Sequence, residues 1–413
     1  MVLGTYSFGI GDRFAHQGGA LLTAIIKAKK ELGLIITPVW NKSDREHQII
    51  GTLPVSVRKE ADDAVERLSF KESYFVDADH INYNNVDRFI QSSDFFTIDV
   101  ADYINKPASK SDLDEFVRMN SEFVGALQIP GIPKSYSIDE STLRETGMKY
   151  LFAIQEAKRI YSRIKGQKDN FITEISMDEV EKPQSPLEIF FILKMASDLS
   201  IPVNTIAPKF SGEFHKGIDY IGDVDEFKTE FENDILVVKY AIQKFDLPVN
   251  LKLSVHSGSD KFSIYPIIGN LVKKYDGGLH IKTAGTTWLE ELTGLILSGN
   301  KGLEFAKKVY SEAMNRKSEL LKPYLSVTSI NENNLPDPEL VQKWDSEKFA
   351  NTLEHDQSKP EFSTDFRQFI HISYKIAAEN MTQYLKLLED NKEVISNKVM
   401  ENIYTKHIKK IFD

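Results

Sequence analysis

Cysteine is absent from the 413 residues, which excludes disulfide bridges and thiolate metal sites. This fits a reducing compartment, and we expect a cytoplasmic protein. The longest apolar runs, such as LGLIIT and IFFIL, fall far short of the ~20 residues that a membrane-spanning helix needs. The first residues also lack the cationic start and the apolar core of a signal peptide. We therefore expect no membrane partner.

The sequence also has no excess of positively charged residues. The 51 lysines and arginines are outnumbered by 61 aspartates and glutamates, and the net charge is −10 with both signs mixed along the chain. This balance argues against a nucleic-acid partner. Nucleotide motifs are also lacking, because FGIGDRF begins like a dinucleotide fingerprint but has Phe14 in the place of the third glycine, and no Walker loop occurs.

Short apolar runs, each followed by polar residues and a helical pattern, recur eight times. They occupy 5–11, 34–41, 73–80, 95–100, 170–179, 203–210, the start of LSVHSGSDKFSIYP at 253–266, and 279–286. Strand followed by helix, eight times, predicts an α/β fold, a (β/α)8 TIM barrel, with a doubly wound open sheet as the alternative. We expect a barrel catalytic domain over 1–290 with a long insertion after strand 4. A helical C-terminal extension is expected over 291–413.

In such a barrel, catalytic residues lie where the strands end. The candidates there are Asp12, Arg13, Asn41, Lys42, Asp79, His80, Asp99, Asp178, Glu179, Lys209, His256, Ser257, Lys261, His280 and Lys282. Imidazoles together with carboxylates suit a divalent first-row metal such as Mn, Co, Ni or Zn. Three histidines as ligands would leave coordination positions open for substrate oxygens. Each histidine alone is more typical of a core or surface residue, so the argument depends on their convergence.

The adjacent residues Asp79 and His80 add a condition to this reading. Side chains alternate along a strand, so both point inward only if the strand has ended between them. The other histidines, His16, His47, His215, His355 and His407, are expected to be surface or structural residues. His371 is less certain, because the run FIHISYK around it looks buried.

Five of the candidates are cations at the ends of five different strands: Arg13, Lys42, Lys209, Lys261 and Lys282. Each alone is typical of a solvated charge or an ion-pair partner. Together they predict a positive field within an acidic protein, which suits an anionic small-molecule substrate. The predicted substrate-binding set consists of these five cations with Asp12, Glu179 and Ser257.

Seven stretches together resemble the tagaturonate epimerase family of bacterial hexuronate metabolism: FGIGDRF, DADH, FTIDV, SMDEVEKPQSP, SGEFHKGIDY, VHSGSDKFSIYP and HIKTAGT. The resemblance covers nearly all of the chain, and VHSGSDKFS with HIKTAGT is its most specific part. It implies a metal-dependent interconversion of tagaturonate and fructuronate, 2-ketohexuronates that differ at carbon 4. Some relatives also act on tagatose and fructose, so a neutral ketohexose stays open as the substrate.

The resemblance also implies roles for individual residues. His80, His256 and His280 look like the metal ligands, while Asp79 and Asp178 look like the proton-transfer pair, with Glu179 as the alternative to Asp178. A retro-aldol route suits these groups, because the C–H bond at carbon 4 is too far from the carbonyl at carbon 2 to be acidified. The alternatives are a class II metal-dependent aldolase or ketose isomerase, and a non-catalytic sugar-acid-binding protein with structural histidines.

Overall fold

The computed structural model describes residues 2–258, 260–325 and 327–413. Eight parallel strands close into a barrel in the order β1-β2-β3-β4-β7-β8-β9-β10, and β10 pairs with β1. The barrel strands are β1 (Tyr6–Ile10), β2 (Ile36–Ser43), β3 (Phe75–Ile81), β4 (Phe95–Asp99), β7 (Ile172–Ser176), β8 (Thr205–Ala207), β9 (Lys252–His256) and β10 (Leu279–Lys282). The predicted TIM barrel is confirmed.

Helices follow the strands and cover the outside of the barrel. Up to the last strand they are α1 (Gly18–Leu32), α2 (Asp44–Ile50), α3 (Val55–Arg67), α4 (Lys110–Met119), α5 (Glu140–Lys165), α6 (Pro186–Asp198), α7 (Val224–Lys244) and α8 (Tyr265–Lys274), and α9 (Thr287–Leu297) comes after it. The start of α6 is encoded locally. Ser185 accepts a hydrogen bond from the amide of Glu188, the Glu188 carboxylate binds back to Ser185, and Pro186 occupies the first turn.

The predicted insertion lies between β4 and α5. It contains α4 and a separate antiparallel pair, β5 (Gly125–Leu127) with β6 (Tyr136–Ile138). The pair is not hydrogen-bonded to the barrel sheet, since it forms a two-stranded sheet of its own. The insertion therefore leaves the closed order of the eight barrel strands unchanged.

The chain continues after α9 as a helical extension. Its helices are α10 (Asn300–Asn315), α11 (Lys317–Leu321), α12 (Pro338–Val341), α13 (Ser346–Leu353), α14 (Thr364–Ile372), α15 (Tyr374–Glu379), α16 (Met381–Asp390), α17 (Lys392–Glu401) and α18 (Lys409–Phe412), with a π-helical segment at Asn402–Ile408. Short 3-10 turns lie at Val86–Arg88, Ala101–Tyr103, Ser121–Phe123, Ala284–Thr286, Lys322–Tyr324 and Glu332–Asn334. The expected boundary at residue 290 falls inside α9, which is the eighth barrel helix.

The extension packs directly on the barrel. Helix α17 contacts α9 and α1, and α18 contacts α8. The last contact is so close that a Cβ atom at Gly269 would lie 1.6 Å from the carbonyl oxygen of Ile411, so a side chain cannot be placed there without moving α18. Across the described residues, no helix combines the length and apolar character needed to cross a membrane.

The interior of the barrel changes character along its axis. At the amino-terminal ends of the strands, Val39, Phe75, Phe95 and Ile172 form an apolar layer that is 0–2% exposed and is joined by Leu3. Toward the carboxyl ends, the inward-facing positions become polar. The buried polar side chains along these strands include Asp77, Thr97, Glu174, Thr205, Ser254, His280 and Lys282. This gradient places charged groups at the end of the barrel where (β/α)8 enzymes carry their active sites.

Candidate active site

Asp79 and His80 both reach the barrel mouth because β3 ends irregularly. The pairing of β3 with β4 shifts register between Ala78 and Ile81, and His80 adopts a left-handed backbone with φ of 52°. Such a conformation is uncommon for a residue with a side chain and is often found at functional sites. As a result, both side chains line the same cleft, with His80 Nε2 3.8 Å from Asp79 Oδ1. The strand does not end between them, as the sequence required, but continues to Ile81 with this shift in its pairing.

His80, Asp178 and His256 form a compact group of possible metal ligands. One ligand atom from each lies within 4.8 Å of the others, and the two imidazole ring centres are 5.1 Å apart. Asp178 Oδ1 lies 3.1 Å from His256 Nδ1. Within the described part of the chain, no other such group of three or more His, Asp or Glu side chains is found. Two imidazoles and a carboxylate are a donor set that divalent first-row metals accept.

His280, the third predicted ligand, is not part of this group. It lies deeper in the barrel, where its Nδ1 is 2.9 Å from Ser7 Oγ and its ring packs 5.2 Å from that of Phe95. Burial lowers the pKa of His280 to about 3, so its ring is neutral at physiological pH. The structure thus brings together two of the three predicted histidines. It adds Asp178, for which the family resemblance implied a role in proton transfer.

Lys282 lies beneath the ligand group and is surrounded by carboxylates. Its Nζ is 2.8 Å from Asp77 Oδ2, 2.9 Å from Asp79 Oδ1 and 3.0 Å from Glu174 Oε1. Burial opposes the charge of Lys282, but the three carboxylates hold its pKa well above the ordinary value. Glu174 continues the network, because its Oε1 also lies 2.8 Å from His256 Nε2.

These contacts shift the pKa values of neighbouring ionisable groups in different directions. Burial, with the nearby charges of Asp79 and Glu174, raises the pKa of Asp77 to about 7 despite Lys282. For Asp79 the effect of burial is outweighed by Lys282, and its pKa is lowered. For Asp178 the effect of burial is outweighed by the charge of His256, and the pKa of Asp178 is lowered as well. Burial disfavours the charged form of His256, but Asp178 raises its pKa to about 9. Metal binding to this group would therefore release protons.

Asp77 and Glu174 were missed by the sequence reasoning, which examined strand ends. Asp77 lies two residues before Asp79 on β3, and Glu174 lies four residues before Asp178. Both are fully buried inside the barrel. Alternation along β3 places Asp77 on the same face as Asp79, so that signal was present in the sequence. Asp178 lies two residues beyond the end of β7, so alternation does not relate it to Glu174.

A cleft of about 520 Å³ opens above these residues and has the size of a small-molecule site. Its walls come from loops that follow several barrel strands and from the segment after α11. They include Arg13, Asn41, Ser43, Arg45, Glu46, Asp79, His80, Asp178, Glu179, Lys209, Phe210, His215, Lys216, His256, Lys282, Tyr324 and Val327. Of the predicted substrate-binding residues, Arg13, Glu179, Lys209 and Lys282 line this cleft.

Arg13 lines the cleft but is largely occupied by protein partners. Its Nε lies 2.7 Å from Glu46 Oε1 and its Nη2 lies 3.0 Å from His371 Nε2. The guanidinium also stacks 4.1 Å from the ring centre of Tyr374. His371 is fully buried, as the run around it indicated. Arg13 therefore connects the first strand's loop to the C-terminal extension.

Lys42 and Lys261, two of the predicted substrate-binding cations, do not line the cleft. Lys42 Nζ donates to the carbonyl of Arg13 at 2.5 Å and to Thr52 Oγ1 at 2.9 Å. Lys261 is fully buried, and its Nζ donates to the carbonyls of His215 and Ile218 at 2.8 and 2.6 Å. Both ammonium groups hold loop backbone in place.

Asp12 and Ser257 are also buried away from the cleft. The Asp12 carboxylate accepts hydrogen bonds from the amides of Phe14, His16 and Gln17 at 2.8, 2.5 and 2.7 Å, so it shapes the loop after β1. Ser257 Oγ donates to the carbonyl of Lys282 at 2.8 Å and thereby ties β9 to β10. The geometry gives both residues a structural contact in place of the predicted exposure to substrate.

Lys216 and His215 line the cleft although the sequence did not single them out. They lie in the loop after β8, well beyond the strand end, where the position of a side chain depends on the path of the loop. Burial lowers the pKa of Lys216; the nearby charge of Glu46 acts against this effect, and that of Arg45 adds to it. None of the ion pairs among the described residues involves its ammonium group. His215, expected to be an ordinary surface or structural residue, pairs with Glu213 at 2.5 Å.

Comparison with known proteins matches residues 2–412 to the tagaturonate epimerase family. The chain belongs to this family. The resemblance carried by the seven sequence stretches is thereby confirmed, and with it membership of a family of epimerases. A tagaturonate/fructuronate epimerase of Thermotoga maritima is 30% identical over 428 residues, which span 98% of this chain and 80% of that protein.

Solved structures of a family member share the fold. The glycerol-complexed fructuronate-tagaturonate epimerase from Cohnella laeviribosi superposes with a TM-score of 0.81 at 24% identity, covering 98% of this chain and 81% of that one. The native structure of the same enzyme gives a TM-score of 0.78 at 23% identity, with the same coverage of both chains. The barrel and its C-terminal helices are therefore an architecture of this family.

Proposed function

We propose that this protein interconverts tagaturonate and fructuronate by inverting carbon 4 of the 2-ketohexuronate. Its family and the activity in the name of the Thermotoga maritima relative support this substrate class. The observation that carries the proposal is the ligand group of His80, Asp178 and His256 at the base of a cleft with Lys209 and Lys216 in its walls. The cleft thus combines side chains that can bind a metal ion with lysines that can bind the substrate carboxylate.

A divalent cation of the Mn, Co, Ni or Zn type is the proposed cofactor, held by His80, Asp178 and His256. Each imidazole has one ring nitrogen beside a carboxylate: His256 Nε2 lies 2.8 Å from Glu174 and His80 Nδ1 lies 3.3 Å from Asp99. Such outer partners are typical of metal-binding histidines. The other nitrogen of His256, Nδ1, is buried and lies 3.1 Å from Asp178 Oδ1, the third atom of the proposed ligand group. When bound, the ion would polarise the ketone at carbon 2.

Asp79 is the proposed base. Lys282 keeps its carboxylate ionised, so it can accept the proton of the hydroxyl at carbon 4. The bond between carbons 3 and 4 then breaks, and its electron pair stays on the three-carbon fragment that carries the ketone. The other fragment becomes an aldehyde, turns over and is attacked on its opposite face, and the proton returns to the new hydroxyl. Glu179, which lines the cleft outside the ligand group, is the candidate to take this proton over from Asp79 and deliver it to the new hydroxyl.

Lys209 and Lys216 are the proposed partners of the substrate carboxylate. In a 2-ketohexuronate the carboxylate is carbon 6, so it travels with the aldehyde fragment after cleavage. An ammonium group that holds the carboxylate keeps this fragment in the cleft while its carbonyl turns. A charge-assisted hydrogen bond of this kind contributes roughly 1.5–3 kcal/mol.

The experiment that tests the function is a substrate assay with tagaturonate, fructuronate, tagatose and fructose. Purified protein would be stripped with chelator and supplied separately with Mn, Co, Ni or Zn. We expect the two uronates to be interconverted in the presence of metal and to be left unchanged without it. Failure to turn over either uronate with any of these metals would contradict the function. Turnover that survives chelation would remove the metal from the proposal and leave the epimerase.

A further inference from the structure

The backbone that carries Lys216 is held by two buried cations from elsewhere in the chain. We call residues 215–218 the Lys216 turn. Of its four carbonyl oxygens, the first and the last accept hydrogen bonds from Lys261 Nζ at 2.8 and 2.6 Å. The third accepts from Arg367 Nε at 2.6 Å. Three of the four carbonyls in this cleft wall are therefore fixed by charged donors.

Gly217 gives the Lys216 turn a left-handed bend. Its φ is 78°, in the left-handed region that glycine adopts without steric cost. The amide of Lys216, the residue before it, donates to the carbonyl of Val327 at 2.9 Å. The turn is thus bound on its carbonyl side and at the amide of Lys216, the residue that lines the cleft.

Arg367 comes from α14 in the C-terminal extension and is fully buried. Besides the Lys216 turn, its guanidinium binds the carbonyl of Leu353 through Nη1 at 2.8 Å and Asp260 Oδ2 through Nη2 at 2.5 Å. Asp260 belongs to the loop after β9, four residues beyond His256. One side chain therefore joins the loops after β8 and β9 to the extension.

Asp260 is the point where the extension converges on the barrel. His355 Nδ1 lies 3.2 Å from its Oδ2 and His407 Nε2 lies 3.4 Å from its Oδ1, in addition to Arg367. Burial alone would raise the pKa of Asp260, but the Arg367 charge outweighs it and holds that pKa well below the ordinary range. The Asp260–Arg367 pair is therefore ionised.

Buried ion pairs are a weak means of stabilising a fold, because the cost of removing two charges from water offsets most of their attraction. Apolar contacts would hold α14 on the barrel equally well. What a guanidinium adds is direction, since its planar arrangement of N–H donors fixes the positions of several acceptors at once. Here those acceptors belong to two loops of the candidate active site.

We propose that Arg367 and Lys261 are positioning residues that fix the Lys216 turn so that the Lys216 ammonium meets the carboxylate of the substrate. Arg367 then takes part in substrate recognition from the C-terminal extension without itself lining the cleft. This inference rests on the proposed function, because it places a uronate carboxylate at Lys216.

A double-mutant cycle tests the proposal in the metal-loaded enzyme. Arg367→Lys keeps the charge but removes the fork of donors, and we expect KM for tagaturonate to rise about tenfold, the effect of one lost charge-assisted hydrogen bond. The value of kcat should change much less. Arg316→Lys is the matched control, because Arg316 binds Glu319 and Glu379 at the surface of the extension, and its KM should equal that of the wild type.

The decisive readout is the same change in a Lys216→Met background. If Arg367 acts through Lys216, Arg367→Lys should raise KM little further there, since coupled residues are not additive. A tenfold rise in both backgrounds would overturn the proposal. So would an Arg367→Lys variant with the kinetics of the wild type, or one that loses kcat with KM unchanged.

A measurement on the wild type covers the case in which Arg367→Lys does not fold. Binding that depends on the Lys216 turn must in return stabilise the contacts of that turn. Saturating tagaturonate should therefore slow amide hydrogen exchange across 353–371, while α16 (Met381–Asp390) serves as the internal comparison. Unchanged exchange at 353–371 would overturn the positioning role.

A wild type that neither binds nor converts uronates overturns this inference and the proposed function together, whereas an active wild type with an additive cycle overturns the inference alone.

Discussion

Glu174 Oε1 lies 2.8 Å from His256 Nε2, and this contact turns the Nδ1 side of the ring toward Asp178 and the cleft. Glu174 is fully buried and also lies 3.0 Å from Lys282 Nζ. A carboxylate behind a metal-binding histidine orients the ring and strengthens it as a ligand. The contact therefore links a residue inside the barrel to the proposed metal.

Glu174→Gln should weaken metal binding while leaving the ligands in place. Loss of such an outer carboxylate typically lowers metal affinity by about 10–100-fold. Titration of the stripped protein with Mn or Zn, followed by calorimetry, would measure it. Glu232→Gln, at the protein surface beside Lys274, is the control and should bind metal like the wild type. Equal affinities in all three proteins would exclude this role for Glu174.

Alanine substitutions can distinguish the proposed metal ligands from the other buried histidines. His80→Ala, Asp178→Ala and His256→Ala should each lower bound metal and activity together, since each removes one donor of the group. His280→Ala should keep its metal, because His280 binds Ser7 deeper in the barrel. His371→Ala should keep it too. Elemental analysis of the purified variants measures the bound metal. If His280→Ala is metal-free while Asp178→Ala keeps its metal, the ligands are His80, His256 and His280, as first predicted.

The cations in the cleft should distinguish charged from neutral substrates. Lys209→Met and Lys216→Met are each expected to raise KM for tagaturonate by about ten- to a hundredfold, which corresponds to one lost charge-assisted hydrogen bond. The KM for tagatose should change much less. Lys42→Met, which removes a buried ammonium group outside the cleft, should show no such selectivity. Equal losses on both sugars in all variants would rule out a carboxylate site.

Solvent isotope incorporation tests the bond-breaking step. In a retro-aldol route the hydrogens on carbons 3 and 4 stay on carbon, and the proton that moves is that of a hydroxyl group. Product formed in heavy water should therefore contain no deuterium at carbon 4, as measured by NMR or mass spectrometry. Stoichiometric deuterium at that carbon would mean direct deprotonation there, and the route through Asp79 would have to be given up.

The Arg13–Glu46 pair predicts how stability depends on pH. Burial opposes ionisation of Glu46, but Arg13 outweighs it and lowers the pKa from 4.5 to about 2. A carboxylate with a depressed folded-state pKa stabilises the protein above its unfolded pKa and loses that contribution as pH falls through the folded value. Glu46→Gln should therefore lower the free energy of unfolding by about 2–3 kcal/mol at pH 7. In urea unfolding, the difference from the wild type should shrink between pH 4.5 and pH 2.

Much of the architecture was predictable because it follows from local periodicity. Apolar runs alternating with helical patterns indicated the barrel, and the rule that chemistry lies at strand ends led to Asp79, His80, Asp178 and His256. His280 is the second residue of the run 279–286, so its place near the start of the strand was visible in the sequence. Its depth relative to His256 also depends on how the strands are staggered around the barrel, which no short stretch of sequence encodes.

The residues that sequence reasoning missed are those whose positions depend on distant contacts. Lys216 lines the cleft from a loop whose carbonyls bind Lys261 and Arg367, and Arg367 lies 151 residues further along the chain. Asp77 is a different case, since its alternation with Asp79 along β3 was visible and could have been followed further into the strand. Sequence patterns thus predicted the side chains near the strand ends better than those in the loops.

The apolar layer of Val39, Phe75, Phe95 and Ile172 also affects the strength of the charged contacts next to it. Apolar side chains lower the local dielectric, so the attraction between Lys282 and the carboxylates of Asp77 and Glu174 is screened less than it would be in water. The same layer offers no polar partner to replace a lost one. Removing a single member of this set would therefore leave the other charges buried and unpaired, which is far more costly than the loss of an ion pair at the surface.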